Sequence, residues 1–179
     1  LWAVHEQVDA LDDEQILTGP GDTSAAPFTE LDRLAALPVS EDLVERLLGD
    51  ATLAPIWPSI FRLRRVYNLR LELEQARALL GAEDPWQHLR GFHFWRNYRD
   101  LARMETDGAN LAAGDRVVFL GAGPLPLSLV VLFRHHGVRG VGIEREPAMA
   151  ALATQVVERL GITDGVSIRT GDQRLLPLD

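Results

Sequence analysis

The chain has 179 residues, 46% of them hydrophobic and 25% charged, the balance of an ordinary globular protein. A net charge of −8 argues against a nucleic-acid backbone as partner, and the absence of cysteine excludes disulfides, thiol nucleophiles and thiolate metal sites. All 18 basic residues are arginine; without lysine, Schiff-base chemistry and a Walker-type phosphate loop are excluded as well. No apolar run approaches the roughly 18 residues that cross a bilayer, and no signal-peptide pattern opens the chain. These features predict a cytoplasmic protein without a membrane partner. A first residue of Leu1 rather than Met, and a last residue close after a strand-like segment, predict a piece of a longer chain.

Residues 1–16 carry Leu1, Val4, Val8, Leu11 and Ile16 at near-helical spacing and predict one amphipathic helix. Residues 18–27, rich in Gly, Pro, Ser and Thr, predict a linker. Thr29 is placed to cap a short helix bearing Leu31, Leu34 and Leu37, and Ser40 opens another that Gly49 ends. The longest helical pattern runs from Ile60 to Leu80 and closes at Gly81. Its arginines, Arg62, Arg64, Arg65 and Arg70, read as a solvated face with ion pairs to Glu72 and Glu74; a seat for a substrate carboxylate is the alternative. A further helix follows Pro85 and extends to about Glu105.

The pattern then changes. Short β-branched runs at Arg116–Leu120, Gly140–Glu144 and Val166–Thr170 predict strands. They alternate with helices at Pro124–His136, ended by Gly137, and Pro147–Leu160, ended by Gly161. Such alternation points to a parallel sheet. The expected fold class is therefore α/β: a helical N-terminal domain over residues 1–112, then the first part of a Rossmann-like β-α-β-α-β unit over 113–179.

At the end of the first predicted strand, Gly121 and Gly123 allow a sharp turn and close approach of backbone N–H groups to a ligand. Glu144 ends the second strand, where an acid can accept ribose hydroxyls, and Asp172 follows the third, where such folds bind an adenine edge. A dinucleotide fingerprint needs a third small residue where this chain has Pro126, which disfavours a pyrophosphate against the helix. S-adenosylmethionine has no phosphate and no such need. Gly121, Ala122, Gly123, Pro124, Leu125, Glu144 and Asp172 are the predicted contacts to it. His135 and His136 point about 100° apart on a helix, with no carboxylate at ligand spacing; a helix-end role beside Gly137 is expected, and no metal.

The string Gly121-Ala122-Gly123-Pro124-Leu125-Pro126-Leu127 resembles the G-S-G-P-L-P-L signature of nicotianamine synthases and their bacterial staphylopine-synthase-like relatives. Most methyltransferases carry an acid two residues before the first glycine; here Phe119 stands there, as that family's apolar preference has it. Upstream, Asn97-Tyr98-x-x-Leu101-x-x-x-Glu105 is similar to the family's aromatic-rich N-Y-x-x-L-x-x-x-E segment. The resemblance implies S-adenosylmethionine as substrate, with no metal, and transfer of its 3-amino-3-carboxypropyl arm to a small-molecule amine or amino-acid acceptor. Methylthioadenosine would leave, and the product would be a nicotianamine-like metallophore. It also implies that Glu105 is the proton acceptor and Tyr98 its companion; seven residues apart, both can lie on one helix face. Intramolecular closure of the arm to azetidine-2-carboxylate, methyl transfer, and a non-catalytic binding domain are the competing readings. Self-association into a homo-oligomer stays open.

Overall fold

The computed structural model describes residues 1–172. Where residues 1–16 predict one helix, there are two: α1 (Trp2–Val8) and α2 (Asp13–Thr18). Asp12 makes the break. Its carboxylate accepts the Gln15 N–H at 2.7 Å while the Gln15 side chain accepts the Asp12 N–H at 2.9 Å, a reciprocal cap that starts a new helix. The predicted linker is also helical in large part: α3 spans Gly21–Ala35 with Pro27 inside it. Ser24, Pro27, Phe28 and Leu31 are all buried, at i, i+3, i+4 and i+7. Burial of that stripe outweighs the local turn signals and the hydrogen bond that proline removes. Thr29, expected as a cap, therefore sits in mid-helix and exposed.

Ser40 caps α4 (Glu41–Gly49) as expected, accepting from the Leu43 N–H. A 3-10 turn at Ala54–Ile56 leads into α5 (Trp57–Gly81). The α5 arginines do more than face solvent. Arg62 donates to the carbonyls of Val8 and Asp9, and Arg70 to those of Ile16 and Gly19, which supplies donors to the open carbonyl ends of α1 and α2. Arg64 pairs with Asp32, and Arg65 with Asp13 at 2.7 Å. Burial of Val4, Val8, Ile16, Phe28, Ile60 and Leu63 forms the core they surround.

By compactness the chain divides into Leu1–Leu71 and Glu72–Asp179, a break inside α5. In the second unit, the predicted helix after Pro85 is interrupted at Gly91, giving α6 (Pro85–Arg90), capped by Asp84, and α7 (Trp95–Ala109). Then come β1 (Arg116–Leu120), α8 (Leu127–His136), β2 (Arg139–Glu144), α9 (Pro147–Arg159) and β3 (Val166–Thr170). The strands are parallel in the order β1-β2-β3, with Phe119 opposite Gly142 and Gly142 opposite Ile168. This is the expected Rossmann-like β-α-β-α-β unit.

Gly142 explains how α8 fits. A methyl group there would stand 2.8 Å from Ala122 Cβ and Ile168 Cδ1 and 3.1 Å from Leu129 Cδ1, so the absent side chain lets helix and turn close on the sheet. All of Leu127–Leu132 is buried. α7 packs on α8, and the Trp86 indole N–H donates to Leu160 O at 3.1 Å, which ties the helices before β1 to the sheet unit. No helix among the described residues is long and apolar enough to cross a membrane.

Candidate functional site

Beyond Leu120 the chain reverses through Gly121–Pro126 before α8 begins. Gly121 (φ +75°) and Gly123 (φ +63°) occupy the left-handed region, which would cost a side-chain-bearing residue about 1–2 kcal/mol. The Gly121 and Ala122 N–H groups both donate to Ile143 O, at 2.8 and 3.2 Å. Glu144 completes the lock. Its Oε2 accepts the Gly123 N–H and its Oε1 the Glu146 N–H, each at 2.9 Å, and its carbonyl accepts the Gly171 N–H at 2.9 Å. A carboxylate has about four lone-pair sites, so two remain for a ligand.

The expected helix start at Pro124 is corrected: α8 begins at Leu127, with Pro126 as its N-cap. Two prolines cause this. A residue before proline is forced out of the helical region, and Leu125 precedes Pro126. The segment Pro124–Pro126 therefore remains part of the turn.

Two clefts open at the carboxyl ends of the strands, where open α/β sheets bind ligands. One, of about 230 Å³, is lined by Leu120, Gly121, Ile143, Glu144, Arg145 and Gly171. The other, of about 290 Å³, shares Gly121 and reaches Ala122, Leu125, Ser128, Phe119, Glu72 and Tyr98. Gly121, Ala122, Leu125 and Glu144 thus line clefts. Gly123 lies behind them against Glu72, Pro124 is buried in the turn, and Asp172, next in the chain after Gly171, is not among the residues lining either cleft. A third hollow, of about 280 Å³, lies at the opposite ends of the strands beside Arg116 and Arg139, away from this turn.

Glu72 is the residue that sequence reasoning missed. It projects from α5 so that a Cβ on Gly123 would stand 3.1 Å from its Oε2, and the Tyr98 hydroxyl donates to its Oε1 at 3.3 Å. Burial raises the Glu72 carboxyl from its ordinary value of 4.5 to about 7, against the opposing pull of the Tyr98 hydrogen bond. Burial, with the Glu72 charge beside it, raises the Tyr98 hydroxyl to about 12. The sequence did hold a signal: Leu69, Glu72, Ala76 and Leu79 fall on one helical stripe, an acid among apolar positions.

Tyr98 is therefore brought to the cleft, but its partner there is Glu72. Glu105, on the same face of α7, is half-buried and is not among the residues lining the cleft. Nor is Glu72 the ion-pair partner of an arginine face that the sequence suggests. His135 lies beside the Trp95 ring, centroids 6.0 Å apart; burial, then Arg99, His136 and Arg134, lower its pKa. The end of α8 is closed by Gly137 instead (φ +69°), whose N–H donates to Phe133 O while Val138 donates to Leu132 O. Among the described residues no group of three or more His, Asp or Glu stands ready to hold a metal.

A family model described as "Nicotianamine synthase protein" matches residues 1–172. Nicotianamine synthase 2 of Oryza sativa subsp. indica is 32% identical over 123 residues, covering 63% of this chain and 37% of the relative. Nicotianamine synthase-like 5 protein of Hordeum vulgare is 34% identical over 113 residues, covering 62% and 39%. The chain thus spans little more than a third of these relatives. A crystal structure of MtNAS in complex with MTA and tNA matches with a TM-score of 0.81 and 27% identity, over 96% of this chain and 64% of that one. A Glu-to-Gln mutant of MtNAS in complex with S-adenosylmethionine matches with a TM-score of 0.80 and 27% identity, over 96% and 65%.

Proposed function

This chain belongs to the nicotianamine synthase family, and from that premise we propose that it takes S-adenosylmethionine and transfers the 3-amino-3-carboxypropyl arm to an amine. The products are methylthioadenosine and a nicotianamine-like metallophore. The observation that carries this reading is the largely buried Glu72 carboxyl, raised to about 7, sharing one cleft with Tyr98 and the Gly121–Pro126 turn.

The residues fit the substrate. The free lone pairs of Glu144 suit ribose hydroxyls, the two clefts meeting at Gly121 suit nucleoside on one side and arm on the other, and Pro126 is no obstacle to a ligand without phosphates. A sulfonium activates every carbon bonded to it, so the carbon held in line with the nucleophile reacts. The amine nitrogen forms the new C–N bond at the arm's terminal carbon. The C–S bond breaks, its electron pair goes to sulfur, and methylthioadenosine leaves. The proton shed by nitrogen passes to Glu72, whose raised pKa makes it a stronger base than an exposed carboxylate yet leaves it substantially ionised at neutral pH. Tyr98, raised to about 12, keeps its proton and holds Glu72 in place as a donor. Glu72 takes the role of proton acceptor ahead of Glu105 because it shares the cleft with Tyr98. The expected partner is a small amine or amino acid.

The test is to incubate the protein with S-adenosylmethionine and amino-acid acceptors and to identify the nucleoside released. Methylthioadenosine with a C–N-coupled product is the expected result. Azetidine-2-carboxylate without coupling points to internal cyclisation. S-adenosylhomocysteine means methyl transfer and refutes the proposal; binding without turnover leaves only a binding domain.

A further inference from the structure

At the end of the sheet opposite the glycine turn, Arg116 opens β1 and Arg139 opens β2, and the two are register partners on adjacent parallel strands. The next pair, Val117 and Gly140, faces α8: a Cβ on Gly140 would meet Leu129 and stand 3.2 Å from Val117 Cγ2. Alternation along the strands therefore sends both arginine side chains to the other face of the sheet, from backbones about 4.8 Å apart. Like charges directly opposite each other repel. Neither guanidinium has an ion pair or a hydrogen bond among the described residues to offset this. Both line the hollow of about 280 Å³ together with Thr163, Asp164 and Ser167. Asp164 is the one acid in that described lining, so the hollow carries net positive charge on a chain of net charge −8. Backbone hydrogen bonds fasten its walls: Gly114 N–H to Gly137 O at 2.9 Å, Arg139 N–H to Asp115 O at 2.8 Å, and Gly140 N–H to Gly165 O at 2.9 Å.

We propose that this hollow binds a compact dianion, a phosphate group or a short dicarboxylate, between Arg116 and Arg139. The site is separate from the glycine turn and does not depend on S-adenosylmethionine being the substrate. Each guanidinium presents a planar fork of N–H donors that matches carboxylate and phosphate oxygens. Two forks on neighbouring strands call for two negative charges in one small ligand, since a monoanion leaves part of the repulsion in place. Asp164 works against a larger polyanion, while the Thr163 and Ser167 hydroxyls, which make no hydrogen bond among the described residues, are available to the ligand's remaining oxygens. Bound there, the dianion ties together the first residues of the two strands whose far ends carry Gly121 and Glu144.

Calorimetry at fixed ionic strength tests this with inorganic phosphate, malonate and acetate, on the protein and its Arg116→Gln, Arg139→Gln and Arg169→Gln variants. Arg169 pairs in register with Ile143, on the same sheet face but outside the hollow, and so controls for general charge. One equivalent of phosphate or malonate is expected to bind, and acetate about tenfold more weakly or less. Whichever dianion binds more tightly identifies the source as a phosphate group or a dicarboxylic acid. Arg116→Gln and Arg139→Gln should each weaken that dianion about tenfold, the scale of one hydrogen bond between charged groups, and Arg169→Gln by less than about twofold. Excess methylthioadenosine should not displace it. Absence of binding by both dianions, equal binding of acetate, equal loss in all three variants, or displacement by methylthioadenosine overturns the proposal. If an arginine variant does not fold, thermal unfolding of the unaltered protein decides. At equal ionic strength the tighter dianion should raise Tm above its value in acetate, and equal Tm values overturn the proposal.

Discussion

Replacing Glu72 by Gln should make the protein more stable at pH 8 while destroying the proposed proton acceptor. The folded state holds the Glu72 carboxyl at about 7 against an ordinary value of 4.5. Below pH 4.5 the carboxyl is protonated in both folded and unfolded chains, and burial costs it no ionisation. As pH rises towards 7 the unfolded chain ionises first, and the folded state loses stability until its own carboxyl has ionised. The gap between 4.5 and about 7 corresponds to about 3 kcal/mol, reached in full above pH 7. Gln has nearly the same shape and never ionises. Urea unfolding followed by tryptophan fluorescence, with Trp86 and Trp95 as reporters in the unit that carries Glu72, measures the difference. The two proteins should be nearly equal at pH 4, and Glu72→Gln should lead by roughly 2–3 kcal/mol at pH 8. Parallel stability curves across this range would refute the buried, proton-retaining Glu72.

Two further outcomes follow from the same site. Tyr98→Phe removes the hydrogen bond that lowers the Glu72 pKa, so the acid limb of the pH–rate profile should move above its starting position near 7; a limb that stays in place argues against Glu72 as the base. Gly123→Ala puts a methyl group into a φ of +63° and 3.1 Å from Glu72 Oε2. It should cost roughly 1–2 kcal/mol and weaken S-adenosylmethionine binding, as thermal unfolding and calorimetry will show. Unchanged Tm and affinity would mean that Glu72 does not lie over the turn.

The strand–turn–helix around Gly121 was readable because its signals are local. β-branched runs, paired glycines and Glu144 at the end of the next strand all act within one β-α-β stretch, and the structure places them as the pattern requires. The helical region was less legible. A capping box at Asp12 divides one apparent helix, and packing carries α3 through Pro27. The first depends on a reciprocal pair of side-chain hydrogen bonds and the second on distant burial, neither on average propensity. Glu72 was hidden for a related reason. It stands about 50 residues before the turn, among charged neighbours, and only the fold brings it to Gly123 and Tyr98. Glu105 drew attention because it shares a motif with Tyr98, yet shared motif and shared cleft are different properties.

Glu144 fastens the architecture as well as lining the cleft. Its two carboxylate oxygens each hold a backbone N–H, one in the glycine turn and one at the entry to α9. Removing the side chain would loosen the loops that form the cleft in the same act that deletes the proposed ribose acceptor. A fall in affinity after Glu144→Ala therefore mixes two losses, one of contact and one of preorganisation. Glu144→Gln divides them unevenly, since its amide oxygen can keep one of the two N–H groups while its NH₂ turns the other away. For this residue the informative quantity is the difference between the two variants, and neither alone measures what the ligand gains from the carboxylate.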